Sequence, residues 1–314
     1  MLNRRHIRIK VLQLLYAFFH SQEKNTSKFQ SELQKSLNQY YSMYIHLLQI
    51  LVKLKLAADN KIKKGKTKLL PTQEDINPKS KFSNNKVLNL LLTNRSLIDK
   101  SKQHEIYWSE IPEIINKLLN KIQHSQLYNN YMSSENYTFS EDNKFICDMF
   151  TEFIAPNDDI HSFLEEKSIY WLDDFTIANL SVLKTLKSFS EHSDSHSGIF
   201  PLFKDKEDEK YTFDLLNKTL NNSSYYKSFI FETASNWDED RISDMDQILL
   251  QMAICELLNF PTIPIKVTIN EYIELSKDYS SKNSRVFVNG IIDKLAIRFK
   301  REKLLKKIGR GLIG

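Results

Sequence analysis

The chain has 314 residues, 41% of them hydrophobic and 26% charged, with a formal net charge of +5. This suits one large domain or two modest ones with ample core, and the six glycines are too scattered for a dinucleotide fingerprint or a phosphate-binding loop. Cys147 and Cys255 lie too far apart to pair as metal ligands or to build a disulfide framework, so they read as core thiols of a reducing cytoplasm.

The first predicted helix covers residues 3–21. Its start is basic and then apolar, like an export signal. The apolar part, "VLQLLYAFF", is short, contains Gln13 and meets no small-residue cleavage site, so retention in the cytoplasm is expected. Ile7, Val11, Leu14, Leu15 and Phe18 form one stripe at helical spacing. Arg4 and Arg8 fall on that stripe or at its edge, and arginines there cannot be buried without a partner. The first turns must therefore project past the core or meet an anion. Cations at a helix N-terminus also oppose the macrodipole, which favours a phosphate backbone as the anion.

Residues 28–58 predict one or two helices around the Tyr-rich "YYSMYIHLL". Residues 59–84, with Gly65, Pro71 and Pro78, read as a loop. Helices are expected near 86–100, 104–131, 140–153, 157–170 and 173–190, followed by a loop over 191–205. His192 and His196 in that loop lack the further ligands a metal site needs. The triplet Ile-Tyr-Trp at 106–108 and 169–171 has unlike flanks and marks no repeat.

Further helices are expected near 210–221, 224–234, 244–259, 268–279 and 284–307. The helix from 244 opens on Ser243-x-x-Asp246, a capping-box pattern, and is apolar nearly all round, so it is central. Glu256 lies in its apolar set and needs an internal partner, an arginine or a helix N-terminus. Thr268-x-x-Glu271 reads as a second capping box. In "VFVNGIIDKL" the stripe is Val288, Ile291, Ile292, Leu295, with Gly290 on the opposite face between Phe287 and Asn289. A glycine there suits close approach of another backbone, and Phe287 suits packing or base stacking. Charge gathers at the ends. Residues 1–22 hold Arg4, Arg5, Arg8 and Lys10 with no acid, and residues 294–314 hold eight Lys/Arg against Glu302 alone. The body between is net acidic, which points to a localised polyanion site.

"RRHIRIKVLQLLYAF" at the start resembles the NusB family of bacterial transcription antitermination factors. So does the ordered series Asn-Trp, Arg-Ile-Ser, Glu-Leu-Leu, Pro-x-Lys-Val, Asn-Glu-x-x-Glu-Leu and Phe-Val-Asn-Gly-Ile-x-Asp-Lys over 236–295. The resemblance implies an all-α, two-lobed helical bundle formed by 1–22 and 225–314, with 23–224 as a large helical insertion. It implies a cytoplasmic bacterial protein, not an enzyme and without a cofactor. Such a protein pairs with the ribosomal protein NusE, binds boxA-type RNA and acts with the RNA polymerase antitermination complex in ribosomal RNA transcription.

By position it implies RNA-binding roles for Arg4, Arg5, Arg8, Asn283 and Phe287, and NusE-facing roles for Tyr16 and Asp246. Asn283 stands where an Asp is common, and Gln251 where a basic residue often occurs. The same fold occurs in some RNA cytosine methyltransferases, which need a following glycine-rich cofactor domain. The competing expectation is a helical scaffold or ribosome-assembly factor that binds a ribosomal protein without boxA preference.

Overall fold

The computed structural model describes residues 2–104, 108, 110–234 and 242–312. The Asn-Trp pair and Arg241 of the sequence signature, and Ile106 and Tyr107 of the repeated triplet, lie outside the described residues. The described residues are helical with no strand, so the chain is all-α as expected. In chain order the helices are α1 (Arg4–His20), α2 (Thr26–Lys66), α3 (Gln73–Ile76), α4 (Lys86–Thr93), α5 (Arg95–Gln103), α6 (Pro112–Gln123), α7 (Gln126–Ser133) and α8 (Phe139–Met149). Then come α9 (Asp158–Lys167), α10 (Phe175–Ser188), α11 (Lys206–Asn221), α12 (Ser223–Thr233), α13 (Asp244–Asn259), α14 (Ile265–Tyr279) and α15 (Ser284–Arg301).

The chain forms two compact units. One is Met1–Ser36 with Phe203–Gly314, and the other is Leu37–Leu202. These bounds differ from the expected 23–224 insertion because α11 belongs with the terminal helices. Its Tyr211, Leu215 and Leu216 are buried, and it packs on α1 and α13.

In the terminal unit α13 is the axis. It touches α1, α11, α12, α14 and α15, and its residues from Ile248 to Leu257 are all buried. Ser243 caps it by accepting from the Asp246 N–H. The segment after α15 folds back onto the α13–α14 loop. There the Ile308 N–H donates to the Pro261 carbonyl at 3.0 Å, and the Lys307 ammonium donates to the Phe260 carbonyl at 3.0 Å. Gly311 sits against that loop, where a Cβ would meet the Pro261 carbonyl oxygen at 1.9 Å. The close backbone approach expected at Gly290 is found at Gly311. At Gly290 an added Cβ would meet nothing within 4 Å.

In the second unit the stretch of α2 from Leu37 to Leu54 is the axis, with Tyr40, Tyr44, Leu47 and Leu51 fully buried. The tyrosine hydroxyls need partners in an apolar setting. Tyr40 and Tyr44, one turn apart, meet Ser181 and Thr185, one turn apart on α10, at 2.7 and 2.6 Å. The indoles of Trp108 and Trp171 donate to the α2 carbonyls of His46 and Gln39. Helix α2 runs on to Lys66, through the first eight residues of the expected loop. Gly65 permits this, because a Cβ there would meet the Asp75 carboxylate at 2.6 Å. The helix expected over 86–100 is broken by Asn94. Its side chain accepts from the Leu97 N–H and donates to the Ser197 carbonyl, so it starts α5 and is wholly buried.

Candidate nucleic-acid interface

The terminal unit gathers the sequence's candidate residues on α1, α13, α14 and α15. Asn3 caps α1 by accepting from the His6 N–H, and no acid occupies the first turn. The counter-charges come instead from distant parts of the chain. Arg4 donates to Asp208 and Glu207 of α11, each at 2.8 Å. Arg5 makes a two-pronged pair with Glu271 of α14 at 2.9 and 3.0 Å. These acids offset the macrodipole cost of a basic helix start.

Arg8 departs from its expected surface place. It is 2% exposed and forks onto the Glu256 carboxylate with two bonds of 2.8 Å. The anion that an arginine on the core line requires is thus internal. Tyr211 and Thr268 also donate to Glu256, at 2.6 and 2.8 Å. Glu271 reaches Arg8 at 3.4 Å, so it links Arg5 to Arg8. Burial alone would raise the Glu256 pKa, but the Arg8 charge and these donors hold it below its ordinary value. Burial likewise works against the Arg8 charge, and Glu256 reverses this, leaving Arg8 well above its ordinary value. Thr268 is therefore not a cap. Helix α14 starts earlier, after Pro264, and Thr268 turns inward to the carboxylate.

Asn283 immediately precedes α15 and is exposed, and Phe287 is half-buried one turn further. Arg285, which no sequence pattern singles out, is exposed between them. The Glu274 carboxylate on α14 feels charges from both this helix start and that of α1. A bond from Lys277 lowers its pKa against the effect of burial, and the charges of Lys277, Arg5 and Arg285 lower it further. Arg310 of the folded-back tail acts in the same way on Glu207, the partner of Arg4. The tail lies against Pro261 and Thr262, and Thr262 donates to Glu207, so one acid-bearing stretch of α11 stands between Arg4 and the basic C-terminal segment. The only hint of this in the sequence is the number of lysines and arginines near residue 310.

Tyr16 is exposed and stacks on His20 at 4.1 Å between ring centroids. His20 reaches Asp244, at the start of α13, at 3.0 Å. Asp246, two residues further along α13, turns inward. It is 6% exposed and accepts from Ser280 and Ser284, each at 2.8 Å. It fastens the α14–α15 junction to α13. Gln251 is also internal, 1% exposed, and accepts from Ser223 at 2.6 Å.

The geometry defines an all-α protein whose candidate site is a basic, helix-borne edge with an aromatic side chain beside it. The model of the NusB family matches residues 177–297, from within α10 into α15, so α1 lies outside that match. The transcription antitermination protein NusB of Salinibacter ruber is 40% identical over 114 residues, 36% of this chain and 71% of that protein. That of Chloroherpeton thalassium is 36% identical over 118 residues, 37% of this chain and 56% of its own length. That of Geotalea daltonii is 38% identical over 94 residues, 29% of this chain and 65% of its own length. No solved structure matches. The chain belongs to the NusB family.

Proposed function

We propose that the terminal unit is a transcription antitermination module that binds boxA-type RNA together with the ribosomal protein NusE and acts within the RNA polymerase antitermination complex. The relatives are named for transcription antitermination. The observation that carries the reading is the two-pronged pair of Arg5 with Glu271 of α14, the helix on which α15 packs. Arg4, Arg5 and Arg285 offer charge to phosphates, and Asn283 and Phe287 offer an amide and a ring to a base. Arg8 supports this edge from beneath by its pair with Glu256. RNA phosphates would compete with Glu207, Asp208 and Glu271 for Arg4 and Arg5, so binding exchanges one anion for another. Tyr16, His20 and Asp244 form the surface we assign to NusE.

The test is a titration of boxA-type RNA and of a scrambled RNA with and without NusE. Tighter binding of the boxA-type RNA, strengthened by NusE, supports the reading. Equal binding of both RNAs alongside firm NusE binding would make the chain a protein-binding scaffold.

A further inference from the structure

We propose that the second unit carries its own RNA-binding surface, a trough between α2 and α6 that takes the phosphate backbone of single-stranded RNA. The trough has a volume of about 690 Å³. One wall is the α2 face bearing Lys53, Asn60, Lys61 and Lys64. The other is the α6 face bearing Asn116, Asn120 and Gln123. Together with Leu56 and Ala57 the α2 positions fall at 53, 56/57, 60/61 and 64, and those of α6 at 116, 120 and 123, so each set lies along one side of its helix. The α2 wall from Lys53 to the helix end at Lys66 is about 20 Å long at 1.5 Å per residue, enough for several nucleotides.

Charge decides what fits. Residues 53–68 hold seven lysines and one acid, Asp59. Asp59 is taken by Lys55, which turns inward and also donates to the Ser83 carbonyl. Lys61 bonds a neutral group across the trough, the Gln123 amide oxygen at 2.6 Å. Lys68 is satisfied by Asp75, which closes one end over Gly65. Lysines in the last turn of a helix are favoured by its dipole, and this accounts for Lys63, Lys64 and Lys66. It does not account for Lys53 or Lys61, which stand further back on the same face.

The opposite wall distinguishes RNA from an acidic protein. Asn116 and Asn120 are exposed amides, each able to donate and accept, as base edges and 2′-hydroxyls require. A side-chain carboxylate would use the lysines and bring no donor of its own for those acceptors, whereas each nucleotide brings a phosphate and a 2′-hydroxyl together. The floor, Leu56, Ala57, Ile115 and Leu119, is apolar and can lie against sugar and base faces.

The experiment uses the full chain and an unstructured single-stranded RNA lacking boxA. Lys53, Lys61 and Lys64 are changed together to Gln, and in a second variant Asn116 and Asn120 are changed to Ala. The lysine variant should flatten the log–log salt dependence of binding by about 2, at about 0.7 per neutralised phosphate. The asparagine variant should weaken binding several-fold with the slope unchanged. Photocrosslinking of the wild-type chain should mark peptides of α2 and α6, which answers the question even if a variant folds poorly. The Arg5→Gln variant should weaken boxA-type binding and keep these crosslinks, so failure here and failure of the antitermination reading give different results. An unchanged slope with no crosslink in α2 or α6 would overturn the proposal. So would polyglutamate binding as tightly as the RNA and weakening equally in the lysine variant.

Discussion

Glu256 is the residue on which the terminal unit closes. Its carboxylate is fully buried and receives Arg8, Tyr211 and Thr268 from three different helices. Removing one partner of such a pair strands a buried charge, so Arg8→Ala should cost about 3–5 kcal/mol, measured by chemical denaturation. A simultaneous Arg8→Met and Glu256→Leu change should recover most of that loss, because neither charge remains. The pair also sets a pH dependence. The folded-state pKa of Glu256 lies below its ordinary 4.5, so its stabilisation is complete above that pH and is lost as pH falls through the lower folded value. Arg8 adds nothing in this range, because Glu256 holds its pKa well above its ordinary value and it stays charged throughout. A Glu256→Gln chain should be less stable near neutrality and show a flatter acid limb in urea midpoints taken across that range. At Gly290 the expectation is the reverse. The space beside it is open, so Gly290→Ala should gain up to about 1 kcal/mol of stability from helix propensity. If the same variant loses RNA or NusE affinity, the surface that comes close to Gly290 belongs to a partner.

At the scale of the helix, the start of α1 is held by acids from α11 and α14. Changing Arg4 and Arg5 to Gln should leave the fold intact, because both pairs are at least partly exposed and such pairs contribute little. RNA binding by that variant should show a salt slope shallower by about 0.7 for each phosphate no longer neutralised. Arg8 does not belong in the substitution, since its loss would unfold the edge being measured. The start of α13 allows a similar separation. Asp246→Ala leaves Ser280 and Ser284 without their acceptor and should cost about 1–3 kcal/mol of stability. Tyr16→Ala should leave the melting midpoint nearly unchanged and weaken NusE binding in a pull-down or titration. These elements also show how far the sequence can be read. The helical period puts Arg8 on the core line and Glu256 in an apolar set, so each demands a partner. Nothing in the period joins the two across 248 positions. Ser243-x-x-Asp246 is recognisable as a cap, but a local pattern cannot say that the Asp246 side chain turns to α15. Thr268 matches the capping pattern although the chain has already entered the helix after Pro264.

Across the whole molecule, the two units have separate cores, one around α13 and one around the buried stretch of α2. The outer helices and the central α13 are legible in the sequence because their patterns of apolar residues are local. The boundary is not, because α11 declares its membership only through long-range packing on α1 and α13. Damage should respect the real boundary. An Arg8→Ala chain should lose hydrogen-exchange protection throughout α13 while the amides of residues 40–54 keep theirs. The placement of the tryptophans makes the same question accessible to light. Trp108 and Trp171 are nearly sealed from water in the second unit, and the ring of His46 meets both edge-on at 6.1 and 5.2 Å. The third indole, Trp237, can be replaced by Phe. Emission excited at the indole band then comes from the second unit alone. It should be blue in the native chain and shift to the red only when that core takes up water. A terminal unit melted by acid or by Arg8→Ala would be dark to this signal, and RNA entering the trough beside Trp108 would change its intensity without unfolding anything.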